Sequence, residues 1–138
     1  MELYAELSEV TESLFDIRYD TIKATTRAPK KVEIDSLNVV GLKSIDYAQR
    51  ALALLEVKAE FVPTVVSLTL TTARIYSKLF DKEQGVQIAY LEKSIGQYKA
   101  ARNSAGKRPT EDIKQMMAAA EEQLRQVQTK LGKLQRFQ

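Results

Sequence analysis

Apolar residues recur at alternating spacings of four and three through the first part of the chain: Leu3, Leu7, Val10, Leu14, Ile17, Thr21 and Ala24. That is one stripe along a helix running from Glu2 to about Thr26, and Phe15, Tyr19 and Ile22 widen it on one side. So broad an apolar surface implies neighbours on two sides. Arg27-Ala28-Pro29-Lys30-Lys31 ends the helix, because Pro29 lacks an amide proton and biases Ala28 away from helical torsions. A second helix is expected from Asp35 or Ser36, as N-cap, to Leu55 or a little beyond. Its stripe is Leu37, Gly41, Ile45, Ala48, Leu52 and Leu55, flanked by Val40, Leu42 and Ala51. Gly41 costs about 1 kcal/mol against Ala inside a helix, which a close helix crossing would justify.

Pro63 marks the first turn of a third helix reaching about Phe80, with Val65, Leu68, Thr72, Ile75 and Leu79 on one stripe and Ala73, Tyr76 and Phe80 on another. The β-branched run from Val65 to Thr72 also alternates as a strand would. A strand is rejected because no partner strand exists in the sequence. After a turn at Asp81–Gly85, Ile88, Leu91, Ile95 and Tyr98 define a fourth helix ending near Arg102, and Asn103–Pro109 is dense in turn formers. Thr110 caps a fifth helix, with Glu111 and Asp112 at the positive end of its dipole. Ile113, Met117, Ala120, Leu124, Val127, Leu131 and Leu134 then hold a heptad-like seam. It reads as a capping helix laid over the preceding hairpin, with a homodimer through this C-terminal helix as the alternative.

These segments contain an internal echo. Ser8–Asp16 ends in Leu14-Phe15-Asp16 and Ala73–Asp81 ends in Leu79-Phe80-Asp81, while Lys43-Ser44-Ile45 recurs as Lys93-Ser94-Ile95 in the same order. The expected fold is all-α: a tetratricopeptide-like α-solenoid of two long helical hairpins, residues 1–60 and 61–105, plus a long C-terminal capping helix over 109–138. At 138 residues, with 44% apolar and 28% charged side chains, the chain makes one such domain and is well supplied for a core.

Composition then narrows the chemistry. The chain has neither cysteine nor histidine, which removes thiolate nucleophiles, thiolate zinc ligation, the usual general base and the commonest metal ligand. No cofactor, metal or small-molecule substrate is expected, and the reading is of a non-enzymatic chain. Ala105-Gly106-Lys107-Arg108 glances at a phosphate loop, but Arg108 stands where a magnesium-reaching hydroxyl is needed and Ala101 where the first glycine belongs. Lys30-Lys31 and Lys107-Arg108 have no interleaved aromatic residue to stack bases, so nucleic acid is not an expected partner at a net charge of +3. The acid-led start and the broken apolar region Phe61–Tyr76 offer neither a secretory signal nor a membrane span, and a cytoplasmic location is expected. On the first helix, Glu9, Glu12, Asp16 and Asp20 lie opposite the Leu3–Ile17 stripe as an acidic strip. The corresponding face of the third helix carries Ser67, Thr71, Arg74 and Lys78. With both faces taken as outward, Glu9, Glu12, Asp16, Asp20, Arg74 and Lys78 are the candidate partner contacts.

Ala73-Arg74-Ile75-Tyr76-Ser77-Lys78, then Leu91–Lys99 (Leu-Glu-Lys-Ser-Ile-Gly-Gln-Tyr-Lys), then Thr129–Phe137 in an acid-led last helix, resemble the C-terminal end of the KIF-binding protein family. Upstream, Ser8–Asp16 and Lys43-Ser44-Ile45-Asp46-Tyr47-Ala48 are similar to that family's preceding repeat helices. Members are α-solenoids that bind the motor domains of certain kinesins and keep them from microtubules. The resemblance therefore implies a cytoskeleton-associated regulator with a kinesin motor domain as partner, whose basic microtubule-facing surface the acidic strip could meet.

Overall fold

The computed structural model describes residues 2–25, 27–55 and 59–136. It holds five α-helices: α1 (Glu2–Ala24), α2 (Lys31–Leu54), α3 (Val62–Lys78), α4 (Gln84–Ala105) and α5 (Glu111–Gln135), with a 3-10 turn over Ala59–Phe61 leading into α3. No strand occurs among the described residues. Thr26, the residues just past Leu55, and Phe137 at the end of the family-like segment lie outside the described residues.

Boundaries differ from expectation where a side chain takes up a backbone group. Helix α2 starts at Lys31, ahead of Asp35 and Ser36, because the Lys30 amide donates to Glu33 Oε1 at 3.3 Å and Arg27 pairs with the same carboxylate at 2.8 Å. An extended Lys30 following Pro29 thus supplies the cap. Helix α3 stops at Lys78 rather than Phe80. Asn38 of α2 donates to Phe80 O at 2.6 Å and accepts from Phe80 N at 3.1 Å, while Gln87 donates to Leu79 O at 2.9 Å. Helix α4 runs on to Ala105, where Gly106 at φ 75° closes it with its amide on Asn103 O.

Helix α3 is the centre of the molecule. Its one face joins Phe15, Ile22, Leu37 and Ile45 through Ile75 and Leu79, and its other joins Leu91, Tyr98, Ile113 and Leu124 through Val66, Leu70 and Ala73. A helix packed on several sides is buried nearly all round, from Leu68 to Ala73 without a break, which is why Val65–Thr72 lacks a clean helical period. The threonines in that run stay buried at small cost, since Thr69 and Thr72 donate to the carbonyls of Val65 and Leu68 at 2.7 and 3.2 Å. Gly41 permits the crossing of α2 on this helix: a Cβ there would stand 2.8 Å from Phe15, 2.9 Å from Leu79 and 3.0 Å from Ile75.

The internal echo has a physical counterpart. Buried Ser44 of α2 donates to Ser8 O of α1 at 2.7 Å, and buried Ser94 of α4 donates to Ala73 O of α3 at 2.7 Å. Ser44 and Ser94 are matched positions, as are Ser8 and Ala73, so each hairpin is clasped at the same point by the same bond. Ser8 adds a reciprocal bond to Ser44 O at 2.9 Å in the first hairpin, which Ala73 cannot make.

The same register exposes a correction. Leu3, Val10 and Ile17, expected in the core, are 64%, 66% and 65% exposed, and Leu14 is exposed too. Helix α1 buries Ser8, Glu12, Phe15 and Ile22 instead. Its apolar surface was indeed broad enough for two neighbours, but only the Phe15 side has them.

Candidate functional site

The first helix of each hairpin and α5 border a groove of about 430 Å³, lined by Glu9 and Glu12 of α1, Ser67, Thr71 and Arg74 of α3, and Met116 of α5. Local structure sets this up. Because α1 turns Phe15 and Ile22 inward, its acidic strip is carried round to face α3, and the outward orientation expected for Arg74 and Lys78 gives way to one facing α1.

The opposed charges meet. Arg74 Nε and Nη2 donate to Glu12 Oε2 and Oε1, both at 2.8 Å, in a bidentate fork, and Thr71 donates to Glu12 Oε1 at 3.1 Å. Glu12 is only 8% exposed. Burial works against the charge of Arg74, but its hydrogen bonds to Glu12 and that carboxylate's charge outweigh it, so the guanidinium is held above its ordinary range. Alongside, burial pushes the Tyr98 hydroxyl up to about 12, and that hydroxyl donates to Gln123 Oε1 of α5 at 3.1 Å. One turn on, Lys78 Nζ donates to Asp16 Oδ1 at 3.1 Å and lies 5.3 Å from the centre of the Tyr19 ring.

The six expected contact residues therefore divide. Glu12 with Arg74 and Asp16 with Lys78 are spent mainly on joining α1 to α3. Thr71, expected outward, is buried between them. Glu9 and Asp20 are exposed, and Glu9 lines the groove. Sequence reasoning missed the acids that extend it: Glu2 and Glu6 of α1 and Glu60 of the 3-10 turn join the expected Glu9 around an adjoining hollow of about 420 Å³ with Phe61 and Thr64. The spacing of Glu2, Glu6 and Glu9 on one helix side was readable. Glu60 had no local signal, since only the tertiary fold brings it across.

Helix α5 turns its seam inward, with Ile113, Ala120, Leu124 and Val127 buried and Met117, Leu131 and Leu134 partly buried against α3 and α4. A dimer through that seam would have to strip α5 from the molecule. Among the described residues, no group of His, Cys, Asp and Glu is arranged to hold a metal ion, and no helix is long and apolar enough to cross a membrane.

Comparison of the chain with protein-family models, with curated proteins and with solved structures found no match.

Proposed function

We propose that this chain is a protein-recognition module of the tetratricopeptide-like solenoid type, non-enzymatic, whose groove between α1, α3 and α5 takes a basic segment of a partner protein. The observation that carries this reading is the repeated hairpin, clasped in both copies by the Ser44 and Ser94 bonds to matched carbonyls. Repeats of this kind stack hairpins so that successive first helices line one surface, the usual binding face of such arrays. The acids at the mouth, Glu2, Glu6, Glu9 and Glu60, set the charge the partner must complement. The partner proposed on the family resemblance is a kinesin motor domain, whose microtubule-facing side is basic, and the role is regulation of motor engagement.

Binding of purified kinesin motor domains tests it, with the intact chain compared to a Glu6→Lys, Glu9→Lys, Asp20→Lys variant. Those three acids are exposed, so the fold is expected to survive. Salt-sensitive binding that the triple reversal weakens by at least about tenfold, equal to ~1.4 kcal/mol, supports the reading. If no motor domain binds, or if the reversal leaves affinity unchanged, the reading fails.

A further inference from the structure

The chain has two adjacent pairs of basic residues, and the groove uses neither. Lys30-Lys31 opens α2, where the Lys30 amide donates to Glu33 and no hydroxyl follows before Ser36. Lys107-Arg108 has a different setting. It lies in the connection between α4 and α5, residues 106–110, where both side chains are exposed and neither pairs with an acid among the described residues. Two positions past Arg108 stands Thr110. Among the described residues, Thr25 and Thr110 are the only serines or threonines outside the α-helices. Thr25 donates its hydroxyl to Thr21 O at 2.9 Å. Thr110 is exposed, and although it holds the N-cap position of α5, its hydroxyl makes no cap bond.

We propose that Thr110 is a phosphorylation site, for a protein kinase that selects basic residues two and three positions before the acceptor hydroxyl. Such kinases take the substrate as an extended segment and meet its upstream cations with acidic side chains of their own. The loop satisfies both demands. Gly106 at φ 75° ends α4 ahead of the cations, Pro109 biases Arg108 away from helical torsions, and Thr110 is extended at φ −67°, ψ 166°. Glu111 and Asp112 weaken the attraction, but they follow the hydroxyl in the first turn of α5, whereas selection by this class rests on the upstream side. In the reaction the Thr110 Oγ–H bond breaks and its proton passes to the kinase's base. Oγ bonds to the γ-phosphorus of ATP, and the bond from that phosphorus to the β-phosphate oxygen breaks to release ADP. The product sets a charge of about −1.5 to −2 at the positive end of the α5 dipole, beside amides that have no carbonyl partner within the helix. Lys107, Arg108 and Lys114 add attraction there, against repulsion from Glu111 and Asp112.

The site is independent of the partner read for the groove. Incubation of the intact chain with magnesium, ATP and the catalytic subunit of cyclic-AMP-dependent protein kinase, a basic-directed enzyme, tests it, with the phosphate located by tandem mass spectrometry. Incorporation on Thr110 is expected at a rate within about tenfold of that for a peptide of residues 103–116, because the site is open in the folded chain. Lys107→Ala with Arg108→Ala should lower kcat/KM by at least about a hundredfold, while Thr110→Ser should keep the reaction. Far-UV circular dichroism should stay helical in both variants, since all three positions are exposed. No incorporation, phosphate only on other residues, or an unchanged rate in the double variant overturns the proposal. So does a rate more than about a hundredfold below the peptide's, which would mean that Thr110 reacts only from the unfolded chain.

Discussion

Helices α1 and α3 are matched elements with opposite fates. Val10 and Ile75 occupy the same place in the repeat, as do Leu3 with Leu68 and Leu14 with Leu79, yet the α1 members are exposed and the α3 members are buried. The difference lies in the neighbours, since α3 rests on the α1–α2 hairpin and no described element covers the α1 stripe. Local pattern decides which face of a helix is apolar, and neighbours decide whether that face becomes core.

Substitutions at the matched positions should break the symmetry of sequence while revealing that of structure. The largest effect is expected from Ile75→Ala, which removes a fully buried side chain where α1, α2 and α3 meet and should destabilise the chain by about 4 kcal/mol in chemical denaturation. Its partner substitution Val10→Ala should stay within about 0.5 kcal/mol at concentrations where the chain is monomeric. Equal losses at the two sites would end the comparison.

Glu12→Ala comes next, at about 3 kcal/mol, because it leaves a largely desolvated guanidinium on Arg74 with the Thr71 hydroxyl as its remaining hydrogen-bond acceptor and the Asp16 carboxylate as the nearest compensating charge. Pairing Glu12→Leu with Arg74→Met should recover most of that loss. Failure to recover would mean that the ion pair sets the α1–α3 register rather than merely compensating its own burial. The contrast is the exposed fork between Arg102 and Glu121 across α4 and α5, where Glu121→Gln should change stability by less than about 1 kcal/mol.

Gly41→Ala should lower stability by about 1–2 kcal/mol despite the better helix propensity of alanine, since the new methyl meets three buried side chains at 2.8–3.0 Å. The two clasping serines come last. Ser94→Ala should lose about 1 kcal/mol and Ser44→Ala slightly more, because Ser44 gives up its bond to Ser8 and leaves the Ser8 hydroxyl with one partner fewer. Similar small losses in both hairpins would sharpen the claim that they are copies.

Much of the fold was legible in the sequence. Helix periods, Pro29, Pro63 and the Gly106 loop located the elements, and the Leu-Phe-Asp and Lys-Ser-Ile echoes paired them. Gly41 announced a close crossing that Phe15, Ile75 and Leu79 provide. The side of α1 that would be buried was not legible, because Leu3–Ile17 and Phe15–Ile22 are both apolar and a single helix cannot say which neighbour is present. From that one ambiguity came the orientation of the candidate site. Once Phe15 faces inward, Glu12 and Asp16 must face Arg74 and Lys78, and residues proposed as two free surfaces become one joint. The polar stops at Phe80 and Lys30 were hidden for a similar reason, since Asn38 acts from another helix and Glu33 acts through its side chain.

The absence of cysteine allows the central claim to be measured site by site. Single variants Val10→Cys and Ile75→Cys, treated with a thiol reagent under native conditions at high dilution, should separate the two copies of the repeat. Labelling at position 10 should approach the rate of an unfolded peptide, and labelling at position 75 should wait on global unfolding and run slower by at least about a thousandfold. Equal rates at the two positions, or protection at 10 with reaction at 75, would contradict the assignment of α1's apolar stripe as the uncovered counterpart of the α3 face.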